Sequence, residues 1–388
     1  MNVANLESIE RVETAIAKIR AGEMVILVDD EDRENEGDLT MAAELVTPEA
    51  ITFMATRGCG LICVTLTPER VDELDLPMMV DTNRSPLGTA FTVSVEAAEG
   101  VSTGISAADR AHTIRVAVSP DSRRGDLVSP GHVFPLRSMP GGVLQRTGQT
   151  EGSVDLARLA GLTPAGVICE IMKPDGTMAR MDDLKRFADE HDLAIVSIAD
   201  LVEYRLQRDR LVERVGSFDL PLAASDGTRA TFCAHVYEAA PGIRRREYVA
   251  LVLGQVDGDE WVPCRGHVAC LADDVFGART RPRSPAVGRV LDAIIRRGRG
   301  VLLYLPSRDS ILEDLEACLG ARAERERPRC AEPEPDREGE IREYGLGTQI
   351  LLDLGVRRLQ VISNNPHKLV GLEAWGFEET EQITIEEV

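Results

Sequence analysis

Positive charge is in short supply along this chain. Lysine and arginine number 44 against 65 aspartates and glutamates over 388 residues, a formal net charge of −21. Nucleic acids and anionic membrane surfaces are bound through a positive footprint, so this balance excludes both as partners. An anionic small substrate stays open, because a few local arginines decide that question. No apolar run reaches the ~20 residues that span a bilayer. The opening residues, MNVANLESIERVETAI, lack a basic start followed by an apolar core, so no secretory signal is expected. The eight cysteines form no Cys-x-x-Cys pair. Scattered thiols in a chain of this size indicate reduced side chains of a cytoplasmic protein, with no disulfide framework. Apolar residues make up 43% and charged residues 28%, ordinary values for a globular protein. The length allows two domains with separate cores.

Negative charge, by contrast, is concentrated. The segment Asp29-Asp30-Glu31-Asp32-Arg33-Glu34-Asn35-Glu36-Gly37-Asp38 follows the apolar run Met24–Val28. Carboxylates this close repel one another, and burying one is costly unless it is paired or ligated. A hard divalent cation such as Mg²⁺ or Mn²⁺ would offset that cost. A solvated acidic turn is the competing reading of the segment alone.

Hydrophobic spacing predicts a helix over 5–21, closed by Gly22, and a strand over 24–28 that delivers the acidic loop. Thr47-Pro48-Glu49 signals a helix start, with its end near Gly58. Strands are predicted at 61–66 and 91–95. Ser106 to Asp109 is a capping-box-like opening for a helix to about Val118. Residues 120–142, rich in Gly, Pro and Arg, predict an ordered loop. Beyond it come a helix 151–160, a strand 166–171, a helix 182–191, a strand 194–198 and a charged helix to about Arg210. Such alternation predicts an α/β (α+β layered) domain over 1–205. A second domain, 206–388, is strand-rich to Val268 and then alternates. Residues 321–343 are dense in charge and proline and predict a solvated excursion.

Four further segments carry candidate chemistry. Ser102-Thr103-Gly104-Ile105-Ser106, just ahead of a helix start, suits a cradle for a polar ligand and equally an ordinary cap. His132 on a Pro-Gly stretch has little reason to be a core residue, which points to a chemical role. In Arg146-Thr147-Gly148-Gln149-Thr150-Glu151, Thr150 is expected to cap a helix while Arg146 directs charge to the same place. A phosphate would be held there by guanidinium, hydroxyl and helix dipole together. Glu170 interrupts the apolar strand Val167–Ile171, a setting suited to proton transfer, with a buried ion pair to an arginine as the alternative.

Together these segments resemble 3,4-dihydroxy-2-butanone 4-phosphate synthase, through DDEDRENEGD, STGISAADR, DLVSPGHVFPLR, VDLARLAG and VICEI, across residues 5–205. The resemblance implies conversion of ribulose 5-phosphate into 3,4-dihydroxy-2-butanone 4-phosphate and formate, with a divalent ion stabilising an enediolate. It implies that Glu34 ligates the metal, with Glu36 and Asp38 close to metal and sugar hydroxyls. Arg33 would contact the substrate, and Arg146, Thr147, Gly148, Gln149 and Thr150 would hold its phosphate. His132 and Glu170 would shuttle protons, Glu170 also touching the substrate. One departure stands out. That family carries a metal-ligating histidine where this chain has Gln149, and an amide oxygen is a weaker, neutral ligand.

Residues 212–388 resemble GTP cyclohydrolase II, through Cys270-Leu-Ala-Asp-Asp274-Val-Phe-Gly277, the strand Gly300–Leu305, Tyr344–Ile350 and Asn364–Gly371. That enzyme holds zinc with three thiolates. Cys270 fits the first, but Arg281 and Arg283 stand where a Cys-x-Cys pair belongs, and arginine does not ligate zinc. Its catalytic loop is replaced by Pro306–Ser310. The expectation is therefore a cytoplasmic, Mg²⁺- or Mn²⁺-dependent homodimer, acting on ribulose 5-phosphate and without zinc, whose second domain is a scaffold lacking cyclohydrolase activity. The alternatives are a non-catalytic regulatory or partner protein, and a bifunctional enzyme with working cyclohydrolase.

Overall fold

The amphipathic stretch near the start forms α1 (Val3–Arg20), which ends at Gly22 in the left-handed conformation (φ +80) that glycine adopts without a steric penalty. This computed structural model describes residues 3–30, 33–85, 87–240, 247–276, 287–305, 346–363 and 377–385. Strand β1 (Val25–Val28) is buried along its whole length and passes through the acidic loop into β2 (Gly37–Ala42). Thr47 caps α2 (Pro48–Phe53) by accepting from the Ala50 N–H, and one wider π-turn carries the chain on to Gly58. Strand β3 (Cys63–Leu66), α3 (Pro68–Glu73) and the short β4 (Val95–Ala97) follow. Ser106 caps α4 (Ala107–Val118) through the Asp109 N–H.

Two expectations need correction here. The predicted strand over 91–95 starts only at Val95, while Phe91 and Thr92 form isolated bridges to Leu136 and Met78. The predicted loop over 120–142 contains an eleven-residue strand, β5 (Leu127–Arg137). Its prolines disguise it, yet Pro135 lies opposite Val64 in the ladder, and its carbonyl accepts from Thr92 N–H at 3.0 Å. The domain then runs through α5 (Gln149–Leu159), β6 (Ala165–Glu170), α6 (Met181–His191), β7 (Ala194–Ser197) and α7 (Ile198–Arg208).

The seven strands form one mixed sheet in the order β4-β5-β3-β6-β2-β1-β7. One face carries Ile26, Leu39, Met41, Val64, Leu66 and Val167, packed with Ile51 and Met54 and with Ala111 and Ile114 of α4. Burial of aliphatic groups on this scale is the main source of stability. Helix α5 packs across β1, β2, β6 and β3. It reaches the sheet because Gly152 has no side chain: a Cβ there would lie 2.5 Å from Ile198 Cδ1 and 2.7 Å from Leu27 Cδ2. Beside it, Thr65 Oγ1 and Ser153 Oγ share a buried hydrogen bond at 2.8 Å. The register between β2 and β6 sets Asp38 directly opposite Glu170.

The chain divides into two compact units, Ala4–Arg205 and a second beginning at Leu206. The second unit contains β8 (Val212–Ala223), β9 (Arg229–Ala239), β10 (Glu247–Leu253), β11 (Gly258–Val268), α8 (Leu271–Asp274), α9 (Val287–Arg297), β12 (Gly300–Leu305), β13 (Val356–Ile362) and β14 (Glu379–Ile383). Its sheet order is β14-β13-β11-β12-β10-β9-β8, parallel from β14 to β12 and antiparallel beyond. Val290 and Ile294 of α9 pack on Phe232, Leu302 and Ile362. Arg281, Arg283, Pro306–Ser310, residues 321–343 and Asn364–Gly371 lie outside the described residues.

Replacing Gly152 by valine forces branched carbon into the contact with Leu27 and Ile198, and overpacking of this kind costs about 1–3 kcal/mol. Urea unfolding of the full chain should show the loss in the transition of the first unit. An unchanged midpoint would show that α5 does not need this close approach.

Candidate active site

The acidic loop is folded by its own first residue. Asp29 leaves β1 with its side chain fully buried, and Oδ2 accepts from Arg33 Nη1 at 2.7 Å and from Glu34 N–H at 3.1 Å. The other oxygen accepts from Glu36 N–H at 2.9 Å. A carboxylate out of water is tolerable when a cation and backbone donors surround it. Arg180, just ahead of α6, fastens the loop from outside by donating to the carbonyls of Glu34, at 2.7 Å, and Asn35.

Arg33 links the loop to α5. Its Nη1 stands 3.1 Å from Glu34 Oε2 and 3.0 Å from Gln149 Oε1 as well as meeting Asp29. Gln149 is 5% exposed, and its Nε2 has no hydrogen-bond partner among the described residues. The N-cap of α5 is Gly148, which supplies no side-chain cap. Thr150 is therefore not the expected cap but the buried second residue of the helix, since the helix begins two residues earlier than predicted. Arg146 is not free either. Its Nη1 pairs with the almost fully buried Glu151 Oε2 at 2.7 Å, and Nη2 donates to Leu87 O at 3.2 Å. Burial pushes the Glu151 carboxyl up, and Arg146 opposes that shift. Thr147 is buried beside them, and a Cβ on Gly148 would lie 2.4 Å from Arg146 Nη1.

On the sheet, Asp38 is 4% exposed and its Oδ1 has no hydrogen-bond partner among the described residues. Burial first, then Glu170, Glu34, Glu36 and Asp29, hold its carboxyl well above the usual range. Glu36 is also raised, by burial and then by Glu34. Glu170 is half-buried, and its Oε2 accepts from Leu61 N–H at 2.7 Å, in place of the arginine considered as its alternative partner. Gly60 makes that possible: a Cβ there would be 2.5 Å from Glu170 Oε2. Cys63 lies on the same face, its thiol pushed up by burial and by Glu170 and Asp38.

His132 is exposed and contacts Glu96 through Nδ1. It precedes Phe134, which pairs with Cys63, and Cys63 pairs in turn with Ile168, two residues before Glu170. His132 and Glu170 thus share a level of the sheet but stand two strand spacings, about 10 Å, apart. The structure joins Arg33, Glu34 and Gln149 by direct contact and Asp38 with Glu170 by register; His132 is set to one side. The Ser102–Ser106 segment behaves as a cap. Asp109 takes the N–H groups of Ser102 (3.2 Å) and Gly104 (3.0 Å) and the Ser102 hydroxyl (2.7 Å). Glu96, Arg180 and Gly60 escaped the sequence reading, and Asp29, named there only as the first of the acidic run, was given no role of its own.

Among the described residues, no three His, Cys, Asp or Glu side chains converge as a ready metal cage. The donor set around Arg33, two carboxylates and an amide oxygen, nevertheless suits a hard divalent ion in kind. Arg33 supplies the positive charge at that focus. In the second unit, His267 Nε2 meets both oxygens of Asp274 at 2.8 and 2.9 Å. Cys270 N–H (2.9 Å) and Tyr304 OH (3.1 Å) also donate to Asp274.

Comparison with known proteins agrees with both domains. Residues 13–204 match the family 3,4-dihydroxy-2-butanone 4-phosphate synthase, and residues 220–384 match GTP cyclohydrolase II. The riboflavin biosynthesis protein RibBA of Aquifex aeolicus is 50% identical over 379 residues, covering 96% of this chain and 92% of its own. That of Nocardia farcinica is 45% identical, covering 96% and 90%. A crystal structure of RibBX, a two-domain 3,4-dihydroxy-2-butanone 4-phosphate synthase from A. baumannii, superposes with a TM-score of 0.74 at 40% identity, covering 96% of this chain and 99% of that one. No described helix is long and apolar enough to cross a membrane.

The raised Asp38 carboxyl has a measurable consequence. The folded state retains a proton that the unfolded chain releases above the ordinary aspartate range, so this group erodes stability as pH rises. Asp38→Asn should therefore melt a few degrees higher than the parent at pH 8, with the gap closing toward pH 4. A gap independent of pH would refute the assignment.

Proposed function

The chain belongs to the family of riboflavin biosynthesis proteins in which a 3,4-dihydroxy-2-butanone 4-phosphate synthase domain precedes a GTP cyclohydrolase II domain, and on that premise we propose that its first domain converts D-ribulose 5-phosphate into 3,4-dihydroxy-2-butanone 4-phosphate and formate. The observation that carries this reading is the meeting of Asp29, Glu34 and Gln149 oxygens at one cationic focus, beside the Asp38–Glu170 pair.

The substrate phosphate would sit at the start of α5, where the first N–H groups carry no side-chain cap and the helix dipole is positive. Arg146, Thr147, Gly148 and Thr150 surround that point, and Arg146 would divide its charge between the phosphate and Glu151. Arg33, Glu34 and Asp38 would take the sugar hydroxyls. Asp38, its carboxyl raised well above the usual range by burial, lies opposite Glu170, and Glu170 is anchored by Leu61 N–H for proton exchange with the sugar carbons. A Mg²⁺ or Mn²⁺ ion on Glu34 and the Gln149 amide oxygen would polarise the sugar oxygens and lower the cost of an enediolate. His132 would exchange protons at the far edge of the same face.

Two copies are proposed to associate, supported by the exposed Leu61, Met78, Met79 and Val80 and the half-buried Phe91 and Phe134. A cytoplasmic location without nucleic-acid or membrane partners is proposed from the charge alone. For the second domain we propose a fold without cyclohydrolase activity, because Arg281, Arg283 and Pro306–Ser310 replace the expected zinc thiolates and catalytic loop. A bifunctional reading is favoured by the match of residues 220–384 to GTP cyclohydrolase II and by the His267–Asp274–Tyr304 group. Stoichiometric zinc together with GTP-dependent formate release would decide for it.

Formate release from ribulose 5-phosphate with added Mg²⁺ or Mn²⁺ tests the synthase directly. No turnover at any concentration of either ion would end the proposal and leave a non-catalytic partner protein. Removing Arg33 removes a cation from a focus of two carboxylates, so Arg33→Ala should tighten Mn²⁺ binding measured by titration calorimetry, by about tenfold or more, one such factor being 1.4 kcal/mol. Equal or weaker binding by a folded variant would show that the ion sits elsewhere. Gln149→His should shift preference toward Mn²⁺ over Mg²⁺, since imidazole suits transition ions.

A further inference from the structure

Strand β4 is held in place on both sides of Glu96. Ala97 N–H donates to Thr113 Oγ1 on α4 at 3.1 Å, and Ser94 Oγ accepts from Gly131 N–H at 3.2 Å. Two glycines allow the chain to close around its carboxylate. Gly104 lies at φ +83, and a Cβ there would be 1.4 Å from Glu96 Oε1. A Cβ on Gly131 would lie 2.1 Å from the Val95 backbone, so β5 could not otherwise bring His132 alongside. The loop bearing Gly104 is itself pinned, because Asp109 takes its N–H. Glu96 keeps 17% of its side chain exposed while His132 keeps 45%, so the carboxylate is enclosed and the imidazole reaches outward.

The contact is made by Nδ1 of His132 and Oε1 of Glu96. A carboxylate only accepts, so the neutral imidazole must carry its proton on Nδ1 to keep the bond. The lone pair is then left on Nε2. We infer that Glu96 is the positioning residue for His132, fixing the ring and its tautomer so that Nε2 is the atom that exchanges protons with substrate. This inference rests on the synthase reading and on the role proposed there for His132. In the step concerned, Nε2 takes a proton from a substrate C–H or O–H, and the bonding electron pair stays on the substrate. The imidazolium so formed faces the Glu96 carboxylate, which offsets its charge until the proton is returned. Without Glu96 the ring is free to rotate, and the proton is free to sit on either nitrogen.

The test uses the full chain with ¹⁵N-labelled histidine, the His132 signals being identified by their loss in His132→Gln. At a pH where the ring is neutral, the parent should show Nδ1 protonated and Nε2 bare. Glu96→Gln, an isostere whose amide can donate as well as accept, should redistribute the proton between the two nitrogens. In the formate assay the same variant should lose on the order of 10²-fold in kcat, the usual contribution of a positioned acid–base group, with KM little changed. Glu96→Asp should recover part of that loss. A tautomer already mixed in the parent, or unmoved by Glu96→Gln, would overturn the inference. So would a fall in KM and kcat together that tracks lost thermal stability. If His132→Ala kept full turnover, the synthase role of His132 would fail instead, and the tautomer measurement would still decide whether Glu96 governs the ring.

Discussion

The candidate site depends on the burial of one carboxylate. Asp29 sits at the point where an apolar strand gives way to a run of negative charge, and it turns that run into structure by collecting two backbone N–H groups and a guanidinium. Its bonds add to those of the backbone, where Asp30 O accepts from Arg33 N–H (3.0 Å) and Asn35 N–H (3.2 Å), and together they offset the repulsion among the other carboxylates. With Asp29 in place, Glu34 and Gln149 arrive at the same cation from two elements far apart in sequence. The positive charge is supplied from within the loop, by Arg33, which gives the cluster a closed form before any ligand arrives.

A second constraint acts through the sheet. Like charges opposite one another in an antiparallel pair are unfavourable, and burial makes Asp38 and Glu170 more so. Asp38 answers the arrangement with a carboxyl raised well above its usual range, and Glu170 is anchored to the backbone at Leu61. The aliphatic face of the same sheet carries the stability that this face gives up. Tension between the two faces is common where a scaffold holds reactive groups.

Much of the first domain was legible locally. Helical spacing, Thr47 and Ser106 as caps and Gly22 as a stop are short-range signals, and those elements lie within a few residues of expectation. The strand β5 was not legible, because Pro130, Gly131 and Pro135 mimic a loop and only pairing with β3 and β4 makes them a strand. The start of α5 was missed for a related reason: Gly148 caps by backbone geometry, whereas Thr150 looked like the better cap. The grouping of Arg33 with Gln149 bridges 116 positions, and that of His132 with Glu96 bridges 36. Neither spacing has a periodic signature, so both pairs emerge only from the fold.

Direct opposition of Asp38 and Glu170 also makes the ladder between β2 and β6 intolerant of error. Side chains alternate across a strand, so sliding β2 by a single residue would drive Asp38 into the aliphatic layer beside Ile51 and Ile114 and turn Leu39 toward the polar face. A misaligned strand would thus bury an uncompensated acid among hydrocarbons. The groups placed for chemistry double as a proofreading device for assembly of the sheet, penalising every odd-numbered slip that would take Asp38 off the side facing α5.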